Sequence, residues 1–331
     1  MPQASATILG AGAMGTALST ILAANNYKVT LWDIEEDVIR GINHNRKNPR
    51  SLSEIKLDRS IRAKHDIVQA VLGADLLVVA VASQAVREVA LSAKDSVAGN
   101  CVIVTASKGL EAGTFKTMTE VLRESFGTRF RHQITAFSGP TLAHEIPQKK
   151  PSAAMLASER ANTYSKRARD AFSNNWFHVY ETRDVVGVEY SGIAKHVLAI
   201  VAGMIMGLGY GANTYGWIMT EGFREMSRLI WKLGGQEETV YGLAGMGDAL
   251  ATCFSKASRN RRFGELLGKG KSVAKAKEII KETIEGIGAV DALYKISQRE
   301  KLNLPILESV FWAVSGKKKA SKAFNELLEN F

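Results

Sequence analysis

The chain has 331 residues, 46% of them apolar and 23% charged, and a formal net charge of +10. That length fits about two domains, and the apolar share, with only six prolines, excludes a disordered or collagen-like chain. Two cysteines, Cys101 and Cys253, are too few for a disulfide framework or a Cys-rich zinc site; each reads as a small buried hydrophobe in a reducing compartment.

The opening residues MPQASATILG carry no basic stretch followed by an apolar one, so no secretory leader is expected. Residues 6–9 read as a short strand and are followed by the turn GAGAMG, residues 10–15. Residues 17–24 then read as helix, and residues 28–32 (KVTLW) as a second strand, β-branched and aromatic. Residues 75–81 (DLLVVAV) and 101–105 (CVIVT) are continuous apolar runs, the pattern of parallel strands covered on both faces. Further strands are expected at 134–137, 153–157 and 177–180. The alternation predicts an α/β fold with a doubly wound, Rossmann-type parallel sheet.

Strand, Gly10-x-Gly12-x-x-Gly15 and helix follow in the order a dinucleotide site requires. Gly10 permits the tight turn, Gly12 lets a pyrophosphate approach the backbone, and Gly15 lets helix and strand pack closely. The first helical N–H groups, at Ala13 and Met14, then face the phosphates. Asp33 ends the second strand 23 positions beyond Gly10, near the ~20 expected of the residue that holds the ribose 2′-hydroxyl. Its carboxylate, with Glu35 and Glu36, would repel a 2′-phosphate, and the nearest arginines that follow are Arg40 and Arg46. NAD is therefore expected as cofactor in preference to NADP.

Two polar groups follow strands in the same way: Ser107-Lys108-Gly109, and Ser138-Gly139-Pro140-Thr141. Ligands of open α/β sheets bind beyond the carboxyl ends of strands, so Lys108 stands where substrate or nicotinamide would lie. Beyond residue 184 the pattern turns helical without a convincing strand. A boundary near 182–187 therefore separates a dinucleotide-binding domain, 1–185, from an all-α substrate domain, 186–331.

Between Glu189 and Glu221 the only full charge is Lys195. The apolar stretch 197–208 is too short to span a bilayer and reads as a core helix. A lysine in such surroundings either snorkels at the helix edge or is a buried amine suited to general acid–base chemistry. Asp248 follows the glycine turn 242–247 and reads as a helix N-cap or as the partner that orients the lysine. Ser258-Arg259-Asn260-Arg261-Arg262 reads by itself as an exposed basic turn, although its arginines suit a phosphate. The run Lys317-Lys318-Lys319 reads as a solvated helix end, and no nucleic-acid-binding module appears.

Together these segments resemble the soluble NAD(P)-dependent glycerol-3-phosphate dehydrogenases. The matching stretches are 10–18 (GAGAMGTAL), 106–111 (ASKGLE), 138–141 (SGPT), 187–195 (GVEYSGIAK), 242–248, Thr252-Cys253, 258–264 (SRNRRFG) and Glu285-Gly286, in the family's order. The resemblance implies reversible reduction of dihydroxyacetone phosphate to sn-glycerol 3-phosphate by a cytoplasmic homodimer in carbohydrate and glycerophospholipid metabolism. No metal, no membrane insertion and no nucleic-acid partner is expected. Lys195 falls on the family's proton donor, and Lys108 on a lysine that contacts substrate and helps polarise the carbonyl. Asp248 and Thr252 fall on positions lining the substrate site. Arg259 and Asn260 fall on the phosphate-binding pair, with Ser258 beside them, and Arg259 also reaches the cofactor. Gly139 and Thr141 match substrate contacts; Ala143 and Glu285 match cofactor contacts. Asn213 falls in the glycine-rich turn after the lysine helix, where the family also has an asparagine.

The chain departs from the family's pattern at four places. His196 replaces an asparagine beside the lysine, Ala82 a proline, Arg50-Ser-Leu-Ser-Glu54 a Tyr-Leu-Pro segment, and Glu221 an arginine. Two other functions fit the same residues: a dehydrogenase for another small phosphorylated ketone, and a dinucleotide-binding regulator without catalysis.

Overall fold

Eight short strands frame the first half of the chain in a computed structural model that describes residues 3–330. They are β1 Ser5–Leu9, β2 Lys28–Trp32, β3 Ile61–Lys64, β4 Leu76–Val79, β5 Val102–Thr105, β6 Ile134–Ser138, β7 Ser152–Ala157 and β8 Phe177–Thr182. Their order across one sheet is β3-β2-β1-β4-β5-β6-β7-β8. Neighbours run parallel except β6 against β7, so the doubly wound parallel sheet expected from sequence carries one antiparallel step. Strand β3 is an addition to the expected set. It is a four-residue edge strand whose Arg62 and Lys64 are exposed, too short and too charged to stand out.

The apolar runs are explained by two cores, one on each face of the sheet. Ile8, Leu76, Val78, Val102 and Val104 pack in one; Leu9, Leu77, Val79 and Ile103 pack in the other. Each such side chain contributes about 1.5–3 kcal/mol on burial, so alternate residues of one strand stabilise both layers. Register aligns the strand ends. Leu9 pairs with Trp32 and Val79, and Val79 pairs with Thr105. The residues that follow, Gly10, Asp33, Ala80 and Ala106, therefore share the carboxyl edge of the sheet. The strand order reverses beside β1, where such sheets open a ligand crevice.

The chain divides into two compact units, Met1–Val185 and Val186–Phe331. Among the described residues the second is wholly helical. Its first helix, Val185–Gly207, is longer than the apolar stretch 197–208. It has the length and composition to cross a membrane, but 78% of its most apolar window is buried in the protein, which makes it a core helix. The helix Arg259–Gly268 crosses it at backbone contact. A Cβ at Gly203 would lie 2.0 Å from the Arg261 carbonyl oxygen, and one at Gly264 2.0 Å from that of Ile200. The glycine turn expected at 242–247 is instead a π-helical turn, Leu243–Gly247, leading into the helix Asp248–Phe254. Asn213, expected in a turn, is exposed in the first turn of the helix Ala212–Lys232. Both cysteines are free and buried, and burial pushes each thiol up to about 12.

Candidate active site

In the first unit the three glycines have distinct surroundings. Gly10 sits at φ +104°, where a Cβ would meet the Ala80 carbonyl oxygen at 2.9 Å. A Cβ at Gly15 would lie 1.9 Å from the Gly10 carbonyl oxygen, so only glycine lets this helix start against β1. Gly12 faces open space: a Cβ there would have no neighbour within 4 Å. It caps the helix Ala13–Ala24, whose first turn carries no acidic residue and no side-chain cap. Gly12 and Ala13 are exposed and Met14 is half-buried. This is a cradle with uncapped backbone donors, and its shape and polarity fit a dinucleotide pyrophosphate.

Asp33 lies beside that cradle. Its Oδ2 accepts from the Ala11 N–H at 2.9 Å and its Oδ1 from the Glu35 N–H at 3.1 Å. Two donors leave a carboxylate with lone pairs for ribose hydroxyls. The arginine that meets these acidic residues is neither Arg40 nor Arg46. Arg50 pairs with Glu35 at 2.9 Å and Asp37 at 2.8 Å, and holds the Asp37 carboxyl below its usual range. Asn48, which sequence reasoning missed, is fully buried. Its Nδ2 donates to the Ala11 carbonyl at 2.6 Å and to Thr16 Oγ1 at 2.9 Å, while its Oδ1 accepts from the Arg50 and Ser51 N–H groups. One amide thus braces the glycine loop and fixes the approach to Arg50.

Lys108 is half-buried in the segment after β5. Ser107 Oγ donates to the Val81 carbonyl at 2.6 Å. Gly109 has φ +143° and packs so that a Cβ would lie 2.6 Å from Ser83 Oγ. These contacts hold Lys108 at the carboxyl edge, beyond β4 and β5. At the end of β6, Gly139 has φ +134° and its carbonyl accepts from the Thr141 N–H at 2.8 Å. Thr141 is buried, and Ala143 packs against the first core. The Ser138 hydroxyl is buried without a hydrogen-bond partner among the described residues.

In the second unit Lys195 does not snorkel. Its side chain is 12% exposed, and Nζ donates to Asp248 Oδ1 at 2.7 Å. Asp248 is not an N-cap: Gly247 holds that position, and the Asp248 side chain turns to the lysine. Thr252 Oγ1, one helical turn on, donates to the same Oδ1 at 3.4 Å. A buried carboxylate so placed fixes the ammonium in direction and compensates its burial.

The exposed basic turn expected at 258–262 is a helix start. Ser258 is the N-cap of Arg259–Gly268, accepting from the Arg261 N–H. Asn260 and Arg261 are buried, and Arg261 donates to the Ser255 carbonyl and Met206 sulfur. Arg259 is half-exposed and lies 3.5 Å from Glu282. Asn260 Oδ1 accepts from the Gly286 N–H at 3.0 Å, and its Nδ2 lies 2.7 Å from His196 Nδ1. Glu285, first residue of the helix Glu285–Arg299, comes within 3.6 Å of His196 Nε2. Lys195, His196, Asp248, Thr252, Asn260 and Glu285 are thereby gathered in one unit, whereas the residues of the first unit gather along the sheet edge. Among the described residues no group of three or more His, Cys, Asp or Glu side chains is placed to hold a metal ion.

Comparison with known proteins gives concordant matches. The family model for the NAD-dependent glycerol-3-phosphate dehydrogenase N-terminus matches residues 5–164, and that for the C-terminus residues 184–325. The glycerol-3-phosphate dehydrogenase (NAD(P)+) of Chlorobium phaeobacteroides is 37% identical over 322 residues, covering 97% of this chain and 96% of its own. That of Clostridium tetani is 36% identical over 305 residues, covering 92% and 86%. A crystal structure of glycerol-3-phosphate dehydrogenase from Coxiella burnetii matches 99% of both chains with a TM-score of 0.92 at 33% identity.

Proposed function

The chain belongs to the NAD-dependent glycerol-3-phosphate dehydrogenase family, and on that premise we propose how its own residues carry the reaction. It is an NAD(P)-dependent oxidoreductase that interconverts dihydroxyacetone phosphate and sn-glycerol 3-phosphate. In the reducing direction the ketone gains a hydride at C2 and a proton on oxygen, and the dinucleotide leaves oxidised. When bound, the nicotinamide supplies the hydride.

The first unit is the dinucleotide-binding domain and the second the substrate domain. Gly10, Gly12, Ala13, Met14 and Gly15 cradle the pyrophosphate, and Asp33 holds the adenine ribose through its hydroxyls. Glu35 and Asp37 occupy Arg50, a guanidinium that could otherwise meet a 2′-phosphate, which supports NAD over NADP as the preferred cofactor. Ala143, Arg259 and Glu285 are further cofactor contacts. Gly139, Thr141, Thr252 and Ser258 line the substrate, and Lys108 contacts it.

Lys195 gives the proton to the C2 oxygen and takes it back in the reverse direction. Charge grows on that oxygen as the carbonyl is lost, so a fixed ammonium stabilises the transition state more than the ground state. Asp248 holds Nζ in place. Arg259 and Asn260 bind the remote phosphate, and that binding orients the reacting carbon. The observation that carries this reading is the 2.7 Å Lys195–Asp248 pair, on a core helix braced against the Arg-Asn helix. A cytoplasmic homodimer is part of the proposal; sedimentation velocity tests the dimer.

The test is NADH oxidation with dihydroxyacetone phosphate beside other small phosphorylated ketones. The proposal expects dihydroxyacetone phosphate to have the highest kcat/KM. Preference for another phosphorylated ketone would overturn the substrate reading, and cofactor binding without turnover would favour a regulator.

A further inference from the structure

We propose that His196 is a positioning residue that sets the donor face of Asn260 toward the substrate phosphate, and that it does so only as a neutral imidazole. The inference rests on the reading of Asn260 as a phosphate ligand. The Gly286 N–H can only donate, and it points at the Asn260 side chain at 3.0 Å. The atom facing it must therefore be the amide oxygen, which leaves the NH2 group facing His196 Nδ1 at 2.7 Å. That NH2 can only donate, so Nδ1 must present its lone pair and Nε2 must carry the ring proton. Nε2 lies 3.6 Å from Glu285 Oε2. Once His196 takes one amide hydrogen of Asn260, the other is the one left for a phosphate oxygen.

The imidazolium breaks this chain. Both ring nitrogens would then carry protons, and Nδ1–H would face the Asn260 NH2, donor against donor. Rotating the amide by half a turn would not help, because the NH2 would then face the Gly286 N–H. No orientation of Asn260 satisfies both neighbours of a charged His196. Relaxation is limited, since both side chains are buried and a Cβ on Gly286 would already lie 2.6 Å from Asn260 Oδ1. The helices that carry His196, Asn260 and Glu285 bear further charged groups. Glu285 favours the cation. Lys195, the preceding residue, is paired with Asp248. On the third helix Arg259 lies against Glu282, and Arg261 turns to Ser255 and Met206. The asparagine that the family usually places here does not titrate, so this coupling of substrate affinity to pH is particular to a histidine.

The experiment is the pH profile of KM and kcat for the full enzyme, His196→Asn and His196→Ala, from about pH 8 to about pH 5.5. The phosphate of the substrate titrates over the same range, and the comparison between variants cancels that contribution. The wild-type KM for dihydroxyacetone phosphate is expected to rise on acidification by about tenfold more than that of His196→Asn, with a smaller change in the KM for NADH, since Glu285 meets the ring. His196→Ala should have a raised KM throughout, and asparagine should restore it. Superimposable profiles for wild type and His196→Asn would overturn the proposal. Should the variants not fold, nitrogen chemical shifts of the wild-type imidazole decide. Nδ1 unprotonated and Nε2 protonated at neutral pH supports the proposal, and the opposite tautomer contradicts it. Asn260→Ala separates the two levels. If it leaves the KM unchanged, the phosphate reading itself fails; if it raises KM while the pH profiles coincide, only the role of His196 fails.

Discussion

Lys195 Nζ donates to Asp248 Oδ1 at 2.7 Å across 53 positions of sequence, with the carboxylate almost wholly buried. The pair explains how an ammonium is kept in an apolar helix: the charge is compensated and its direction fixed by one partner. Asp248→Asn should lower kcat by about 10²-fold, the scale of a positioned proton donor made imprecise, with a smaller change in KM for NADH. It should also destabilise the protein by about 3–5 kcal/mol, because it strands a buried charge. Steady-state kinetics and urea unfolding of the same variant check both. Wild-type kcat in a fully folded variant would remove Asp248 from the mechanism.

The glycine loop separates folding from binding. Gly12→Val adds a side chain where nothing lies within 4 Å, whereas Gly15→Ala drives a Cβ to 1.9 Å from the Gly10 carbonyl oxygen. Gly12→Val should therefore keep the wild-type Tm and lose NADH binding by at least about tenfold. Gly15→Ala should lose several degrees of Tm, corresponding to about 1–3 kcal/mol of overpacking. Thermal melts with NADH titration measure both, and equal Tm losses would contradict the assignment of open space to Gly12.

Cofactor preference should follow the Arg50 pairs. Glu35→Gln with Asp37→Asn removes both carboxylates from the guanidinium. The ratio of kcat/KM for NADPH over NADH should rise about tenfold, as one freed arginine gains a 2′-phosphate partner. An unchanged ratio would show that Arg50 does not reach the ribose.

Glu225 adds a pH dependence of stability. Its oxygens accept from the Ile306 and Leu307 N–H groups at 2.6 and 3.0 Å, yet burial outweighs these donors and pushes its carboxyl up to about 7. Between the ordinary glutamate range and that value the folded chain holds a proton that the unfolded chain releases. Stability must therefore fall as pH rises through that window and level off above it, by up to about 3 kcal/mol. Urea unfolding across this pH range should show the slope in wild type and its loss in Glu225→Gln. A slope of opposite sign would mean that the two N–H donors prevail.

What is readable in the sequence is what local rules force. Gly10, Gly12 and Gly15 stand in a strand–turn–helix context, and the continuous apolar strands announce a sheet buried on both faces. Lys195 stands out because no other charge shares its segment. Contacts that join distant positions are not readable. Asn48 reaches back to Ala11, and Arg50 reaches Glu35 and Asp37, although neither has a local signature. Ser258-Arg259-Asn260 looks like solvated charge because periodicity cannot see Gly264 packing its helix onto Ile200. The order His196–Asn260–Gly286 spans intervals of 64 and 26 residues, which only the folded chain brings together. Strand β3 escapes notice because four residues, half of them charged, carry little pattern.

The most direct measurement is a single-turnover reduction of dihydroxyacetone phosphate by preformed enzyme–NADH, wild type beside Lys195→Met, with NADH affinity measured on both. NADH binding should be undiminished in the variant and its hydride-transfer rate lower by at least about 10³-fold. A variant that binds NADH and transfers hydride at nearly the wild-type rate would contradict the assignment of Lys195 as proton donor.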